Sequence, residues 1–169
     1  MGKFHFGPIR ALAWVTATAF ACAGASAAVL TVGPPSETAG CAYPTIQAAI
    51  DAAAASPGLD IIRIARGTYP AQHLLINDNG DLAIEGGFVS CQTLVHADYS
   101  TLDGYNSPQP GPVIEERSHG NLTLSDLHIQ NADATRTGAT TGVGGGVAAL
   151  GRGLLTIRRS VFSGNRAVL

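Results

Sequence analysis

The groups able to do chemistry in this chain are carboxylates and guanidinium groups in its second half. The carboxylates are Asp98, Asp103, Glu115, Glu116, Asp126 and Asp133, and the cations are Arg117, Arg136, Arg158 and Arg159. Carboxylates stacked on one face can bind Ca²⁺ or divide acid and base roles at a glycosidic bond. The spacing argues otherwise. In a strand Glu115 and Arg117 share a face while Glu116 points to the other, which favours a solvated surface ion pair over a metal nest. Asp103 stands in Leu-Asp-Gly, where an Asx-type turn accounts for it. Asp126 lies at a strand bend, and its counterpart in an internal repeat is Arg159, so the two are placed to pair.

The histidines (5, 73, 96, 119 and 128) are scattered, whereas a zinc site needs ligands at close spacing. His128 alternates with Leu127 and Ile129 and is expected to face outward. His119 is read as a surface histidine too. Asn121-Leu122-Thr123 is a glycosylation sequon to which no role is given. Gly144-Gly145-Gly146 is no phosphate loop, since no Lys follows it and Lys3 is the chain's one lysine; tight packing explains it. No catalytic residue, cofactor or metal ligand is therefore assigned.

The front of the chain reads as a secretory signal. Lys3 and Arg10 form a positive start without acidic residues, and Ala11 to Gly24 is apolar and small apart from Trp14, Val15 and Phe20. Ala25-Ser26-Ala27 supplies the small-x-small pattern, placing cleavage after Ala27 and dividing the chain into a leader, 1–27, and a domain, 28–169. An uncleaved anchor is the alternative, because Ala11 to Leu30 is roughly 20 residues, enough to span a bilayer. Its Ala, Gly and Thr content makes a weak span. Cys22 opens a third reading, lipid modification, which the bulky Phe20 in Ala19-Phe20-Ala21 disfavours.

Removing Lys3 and Arg10 takes the ten Lys+Arg to eight, all Arg, against 12 Asp+Glu, a net charge of about −4. No basic stripe remains to follow a phosphate backbone, so a nucleic-acid partner is not expected. The abundant glycine, 21 of 169 residues, with few aromatics fits short strands and tight turns rather than a helical bundle. Cys41 and Cys91 remain after cleavage. In an oxidising compartment they read as a disulfide closing a loop of about 50 residues, contributing on the order of 3–4 kcal/mol. Two free buried thiols are the alternative.

Positioning these groups requires elements, and one helix is evident. Over Thr45–Ala55, Ile46, Ala49, Ile50 and Ala53 form one apolar face, Thr45 is placed to cap the start, and Ser56-Pro57-Gly58 ends it. The first stretch, Ala28 to Gly40, reads as a lead-in strand and loop. Short strands are expected over 60–65, 74–76, 82–85, 113–115, 122–124, 127–129, 146–150, 155–157 and 161–162. Arg66–Pro70 and Asn77–Gly80 are expected as turns.

The segment 122–130 repeats at an offset of 33 as 155–163, aligning Leu122 with Leu155, Leu124 with Ile157, and Ile129 with Phe162. His128 matches Val161 only in part, and the Asn131/Asn165 pair is one residue out of step. Each copy reads as one turn of a solenoid whose inward side chains need neighbours above and below. The helix would then cover the open apolar end of the first turn.

Tyr43-Pro44-Thr45-Ile46-Gln47-Ala48-Ala49-Ile50-Asp51-Ala52-Ala53, followed by Asp60-Ile61-Ile62-Arg63-Ile64-Ala65-Arg66-Gly67-Thr68-Tyr69, resembles the opening of right-handed parallel β-helix proteins of the pectin lyase-like superfamily. Gly86-Gly87-Phe88, Thr101-Leu102-Asp103-Gly104, Gly144-Gly145-Gly146-Val147 and Phe162-Ser163-Gly164-Asn165-Arg166-Ala167 are similar to bacterial polymorphic outer-membrane-protein and adhesin-type repeats. The resemblance covers residues 40–169 and implies an all-β right-handed parallel β-helix with an N-terminal capping helix. It implies little about activity, because this solenoid hosts lyases, hydrolases, esterases and adhesins. No pectinesterase or pectate lyase motif is present.

At about 25–33 residues per coil the exported part would hold four or five coils, stacked at ~4.8 Å. With no C-terminal cap, barrel or sorting signal in view, the chain is expected to be the N-terminal portion of a longer protein. The expected function is an exported, non-catalytic cell-surface or secreted module whose partners are polysaccharide or host and cell-surface components. The alternative is a polysaccharide-active enzyme whose catalytic coils lie beyond Leu169.

Overall fold

The computed structural model describes residues 2, 27–56, 58–77, 80–137 and 144–167. The expected leader therefore lies outside the described residues, apart from Gly2 and Ala27. Among the described residues, no helix is long and apolar enough to cross a membrane.

The architecture is all-β, built from three parallel sheets. The first contains β1 (Val29–Val32), β2 (Leu59–Ala65), β5 (Asp81–Phe88), β8 (Leu122–Ser125) and β11 (Leu155–Arg158), in that order. The second runs β12 (Val161–Ser163), β9 (Leu127–Gln130), β6 (Ser100–Asp103), β3 (Gly67–Tyr69), and the third β10 (Val147–Ala149), β7 (Ile114–Glu116), β4 (Leu74–Ile76). From β2 onward the chain visits the first, second and third sheets in strict rotation. Every pairing within the sheets is parallel.

Register turns the sequence pattern into ladders. In the first sheet Leu30, Ile62, Ile84, Leu124 and Ile157 are successive partners. In the second, Tyr69, Leu102, Ile129 and Phe162 follow one another. The members up to Leu124 and Ile129 are buried, whereas Ile157 and Phe162 are 42% and 43% exposed. Leu124 and Ile129 have a ladder neighbour on both sides, whereas Ile157 and Phe162 have one on one side only.

The repeat aligned in the sequence is this register: Leu122 pairs with Leu155, Leu124 with Ile157, His128 with Val161 and Ile129 with Phe162. The spacing is less uniform than expected. Asp60 pairs with Leu82, Leu82 with Leu122, and Leu122 with Leu155, so successive steps are 22, 40 and 33 residues. Only the strands must stack, and the connections between them can lengthen over the surface.

Helix α1 (Ile46–Ala53) forms as its cap and face dictate. The Ala48 N–H donates to Thr45 Oγ1 at 3.1 Å, and Ile46, Ala49, Ile50 and Ala53 are buried. The helix packs on β1, β2 and β4 at one end of the aliphatic core. Its Gln47 does a strand's work. Nε2 donates to Leu75 O at 3.0 Å and Oε1 accepts from Leu75 N–H at 2.9 Å, occupying the free edge of β4.

Two expectations change. The segment expected as the turn Arg66–Pro70 contains the strand β3, and Ser100–Asp103, not expected as a strand, is β6. Cys41 and Cys91 form a disulfide with Cα atoms 5.2 Å apart, tying the loop after β1 to the loop after β5.

Candidate functional site

Where β6, β9 and β12 end, the residues leaving them meet on one ledge. Asp103 closes β6, and its Oδ1 accepts from the Tyr105 N–H at 2.8 Å, the expected Asx turn. The same oxygen accepts from Asn131 Nδ2 at 3.1 Å, while Oδ2 accepts from Gln130 Nε2 at 2.9 Å. Partial burial pushes this carboxyl up, but the Tyr105 N–H, the two amides and the charge of His128 outweigh it and hold it below its ordinary value.

Asn131 reaches Asp103 because its backbone turns sharply at φ 56°, a left-handed conformation that Asn tolerates. Gly164, at φ 63°, occupies the equivalent point after the neighbouring strand β12, following the Gln130–Ser163 pair. Asn165, expected as the counterpart of Asn131, does a different job. Its Oδ1 accepts from the Ala132 N–H at 3.0 Å and its Nδ2 donates to Ile129 O at 2.8 Å, bracing the ledge from below.

Asp133 and Arg166 are joined by a parallel bridge, and the Arg166 N–H donates to Ala132 O at 2.8 Å. Tyr105, Asn131, Ala132, Asp133, Gly164 and Arg166 line a pocket of about 310 Å³. Tyr105 is 66% exposed and presents its ring to solvent. The set combines an aromatic face with carboxylate, amide and guanidinium groups on braced backbone. Such groups recognise a ligand with an apolar face and a rim of hydroxyl or carboxylate groups.

A second, more open groove of about 460 Å³ lies at the corner between the first and second sheets, lined by His96, Asp98, Tyr99, Asp126 and Arg159 among others. Asp126 and Arg159 are committed to each other, and Asp98 accepts from the Tyr99 N–H at 2.8 Å. Arg159 donates through Nε to Asp126 Oδ1 at 2.7 Å and through Nη2 to Oδ2 at 2.6 Å. The Arg159 hydrogen bonds, with its charge, hold the Asp126 carboxyl below its ordinary value against partial burial, and in turn raise the guanidinium. Above the groove the Phe88 and His96 rings lie 4.1 Å apart, with Arg63 on Phe88 at 5.7 Å.

The other sequence candidates are dispersed. Glu115 pairs with Arg117 as expected and has His73 Nε2 at 3.8 Å on its other side. The Glu115 carboxylate is more enclosed than a solvated pair requires, at 13% exposure. Glu116 turns inward and is buried, accepting from the Ser118 N–H at 2.6 Å, the Ser118 hydroxyl at 2.5 Å and the Gly151 N–H at 3.2 Å. Asp98 and Arg158 are exposed, and the side chain of Arg136 lies outside the described residues.

His119 is exposed, and His128 Nε2 lies 2.8 Å from Ser163 Oγ. The Asn121 amide oxygen accepts from the Leu154 N–H at 3.0 Å. Gly145 fits the expected close packing, since a Cβ there would meet Arg166 O at 2.8 Å. Among the described residues, no three His, Cys, Asp or Glu side chains gather closely enough to hold a metal ion.

Sequence reasoning named Asp103 and Asp133 but not Tyr105, Asn131 or Arg166 as their companions. The available signal was the polar residue that closes β6, β9 and β12, namely Asp103, Gln130 and Ser163, which marks one stacked position once the register is known. No protein-family model, curated protein or solved structure matches this chain.

Proposed function

We propose that this chain is a right-handed parallel β-helix module, exported from the cytoplasm, that binds polysaccharide in secreted form or at the cell surface without cleaving it. The rotation of strands through three parallel sheets supports the solenoid, and the right-handedness of parallel crossovers supports its hand. The resemblance of residues 40–169 to pectin lyase-like proteins points the same way. The Cys41–Cys91 disulfide suits an oxidising compartment.

One observation carries the binding reading: the exposed Tyr105 ring beside Asn131, Asp133 and Arg166, held on consecutive turns by Asp103 and Asn165. A ring of this kind packs on the C–H face of a sugar, and the flanking groups meet its hydroxyl or carboxylate rim. The Asp103 carboxylate is taken up by Tyr105, Asn131 and Gln130, and that of Asp126 by Arg159, which supports binding over acid–base cleavage.

The test is affinity electrophoresis of the chain from Ala28 through gels containing acidic or neutral polysaccharides, with and without Ca²⁺. Retardation by at least one polysaccharide, lost in Tyr105→Ala while the fold persists by circular dichroism, is expected. Unsaturated or newly reducing products in the gel lane would establish the enzyme reading instead. Equal mobility on every polysaccharide would remove the binding reading.

A further inference from the structure

Two carboxylates are buried among the described residues, and they are not equally satisfied. Glu116 receives donors on both oxygens. Asp60, 1% exposed, receives one: the Ala28 N–H donates to Oδ1 at 2.9 Å, and no hydrogen-bond partner reaches Oδ2. An unmet oxygen on a buried carboxylate is strongly unfavourable, and a neutral amide brings one proton and no charge to offset it.

Asp60 faces the core at the start of β2, beside Ala28, whose carbonyl accepts from the Ile61 N–H at 2.8 Å. Ala28 is also the residue that cleavage after Ala27 would leave as the first of the chain. Ala27 is exposed and Ala28 is partly buried, so the peptide bond between them lies just ahead of β1.

We propose that cleavage between Ala27 and Ala28 creates an α-ammonium that pairs with the Asp60 carboxylate and so completes the fold of the exported chain. The proposal rests on the export reading. In the step, an external endopeptidase adds water across the Ala27–Ala28 bond. The hydroxyl goes to the Ala27 carbonyl, which leaves as a carboxylate, and the freed amine of Ala28 is protonated to an ammonium. The nitrogen that now offers one donor then offers three and a positive charge, from a position already in hydrogen-bonding contact with Asp60.

Few other charges compete. β1 carries no titratable side chain. On α1, Asp51 is exposed and accepts from Gln47 at 2.8 Å. On β5, Asp81 is exposed and accepts from the Asn121 N–H at 2.8 Å, and Glu85 lies 3.7 Å from Arg63 of β2 itself.

The experiment compares three chains: one starting at Ala28 with a free amine, one starting at Ala27, and one starting at Ala28 with the amine acetylated. Each is made with Asp60 and with Asp60→Asn, and urea unfolding is followed from pH 6 to pH 10. With Asp60 present, the free Ala28 start is expected to have an unfolding equilibrium constant lower by roughly tenfold or more. That advantage should fade as pH rises through titration of the amine, which nuclear magnetic resonance of labelled Ala28 should place above its ordinary ~8. In Asp60→Asn the three starts should unfold alike.

Equal stability of the three Asp60 chains, or an amine titrating at its ordinary value, overturns the proposal, and both readings survive a failure of Asp60→Asn to fold. Mass spectrometry of the chain recovered outside an expressing bacterial cell separates the premise from the pairing. A first residue other than Ala28 defeats both. A start at Ala28 with equal stabilities defeats the pairing alone.

Discussion

Asp126 and Arg159 both stand where the chain passes from a first-sheet strand to a second-sheet strand, 33 residues apart, and form a two-point ion pair. Both residues have positive φ, 56° and 44°, because the chain there leaves the first sheet for the second in one sharp step. The left-handed backbone brings the carboxylate above and the guanidinium below within reach. Position 126 thus provides a sharp bend and a link from the β8–β9 corner to the β11–β12 corner.

Arg159→Ala should lower stability modestly, since the guanidinium is exposed and much of the attraction is screened. The pH dependence is more telling. Asp126 is held below its ordinary carboxyl value when folded, so the pair contributes fully above the unfolded value of ~3.9 and its contribution is lost as pH falls through the lower folded value. Urea midpoints of wild type and Arg159→Ala should differ near neutrality and converge in acid. A constant gap across that range would remove the ion pair as its cause.

The pairing was legible because a strand repeat with fixed offset puts equivalent residues in contact, so a carboxylate and a guanidinium at one repeat position must meet. The helix over Ile46–Ala53, the opposite faces of Glu115 and Glu116, and the all-β class were legible for the same reason: period and spacing express local geometry. The strands β3 and β6 were not legible, since Gly67-Thr68-Tyr69 and Ser100-Thr101-Leu102-Asp103 each hold one large apolar residue, unlike Leu74-Leu75-Ile76, and their pairing is set elsewhere in the chain. The burial of Asp60 and the ledge around Tyr105 were hidden likewise. Each depends on which residue lies above or below, and steps of 22, 40 and 33 residues conceal that until the register is seen.

The aliphatic ladder predicts a gradient of mutational sensitivity. Ile84 is fully buried between Ile62 and Leu124, so Ile84→Ala should destabilise by about 2–5 kcal/mol through lost burial and the cavity left behind. Ile157 belongs to the same ladder but is 42% exposed, so Ile157→Ala should cost well under half as much. Paired urea denaturation of the two variants checks this, and equal losses would mean that the last turn is enclosed in solution.

The disulfide clamps the long way round. Cys41 and Cys91 are 50 residues apart and enclose α1 and β2 through β5. Reduction should cost about 3–4 kcal/mol, chiefly by enlarging the freedom of the unfolded chain. The Cys41→Ser, Cys91→Ser double variant should unfold at the same urea concentration as the reduced wild type. A thiol titration of the native chain should find these two cysteines unreactive before reduction.

Gln47 offers the sharpest test of how the edge of β4 is closed. Its amide donates to Leu75 O and accepts from Leu75 N–H, replacing the strand that the edge of β4 lacks. Gln47→Ala strips both partners from a part-buried peptide and should cost about 1–3 kcal/mol. Gln47→Glu keeps the acceptor for Leu75 N–H but, when ionised, sets a carboxylate against Leu75 O and beside Asp51. The folded state then disfavours the charged form, so the new carboxyl should titrate above its ordinary ~4.3. A raised carboxyl binds its proton more tightly when folded, so the stability of Gln47→Glu relative to wild type should rise as pH falls through that value. Hydrogen exchange at the Leu75 amide gives the local readout: protected in wild type, fast in Gln47→Ala, which lacks the acceptor, and still protected in Gln47→Glu, which keeps it. An unchanged Leu75 rate in Gln47→Ala would mean that the edge is closed by some other group.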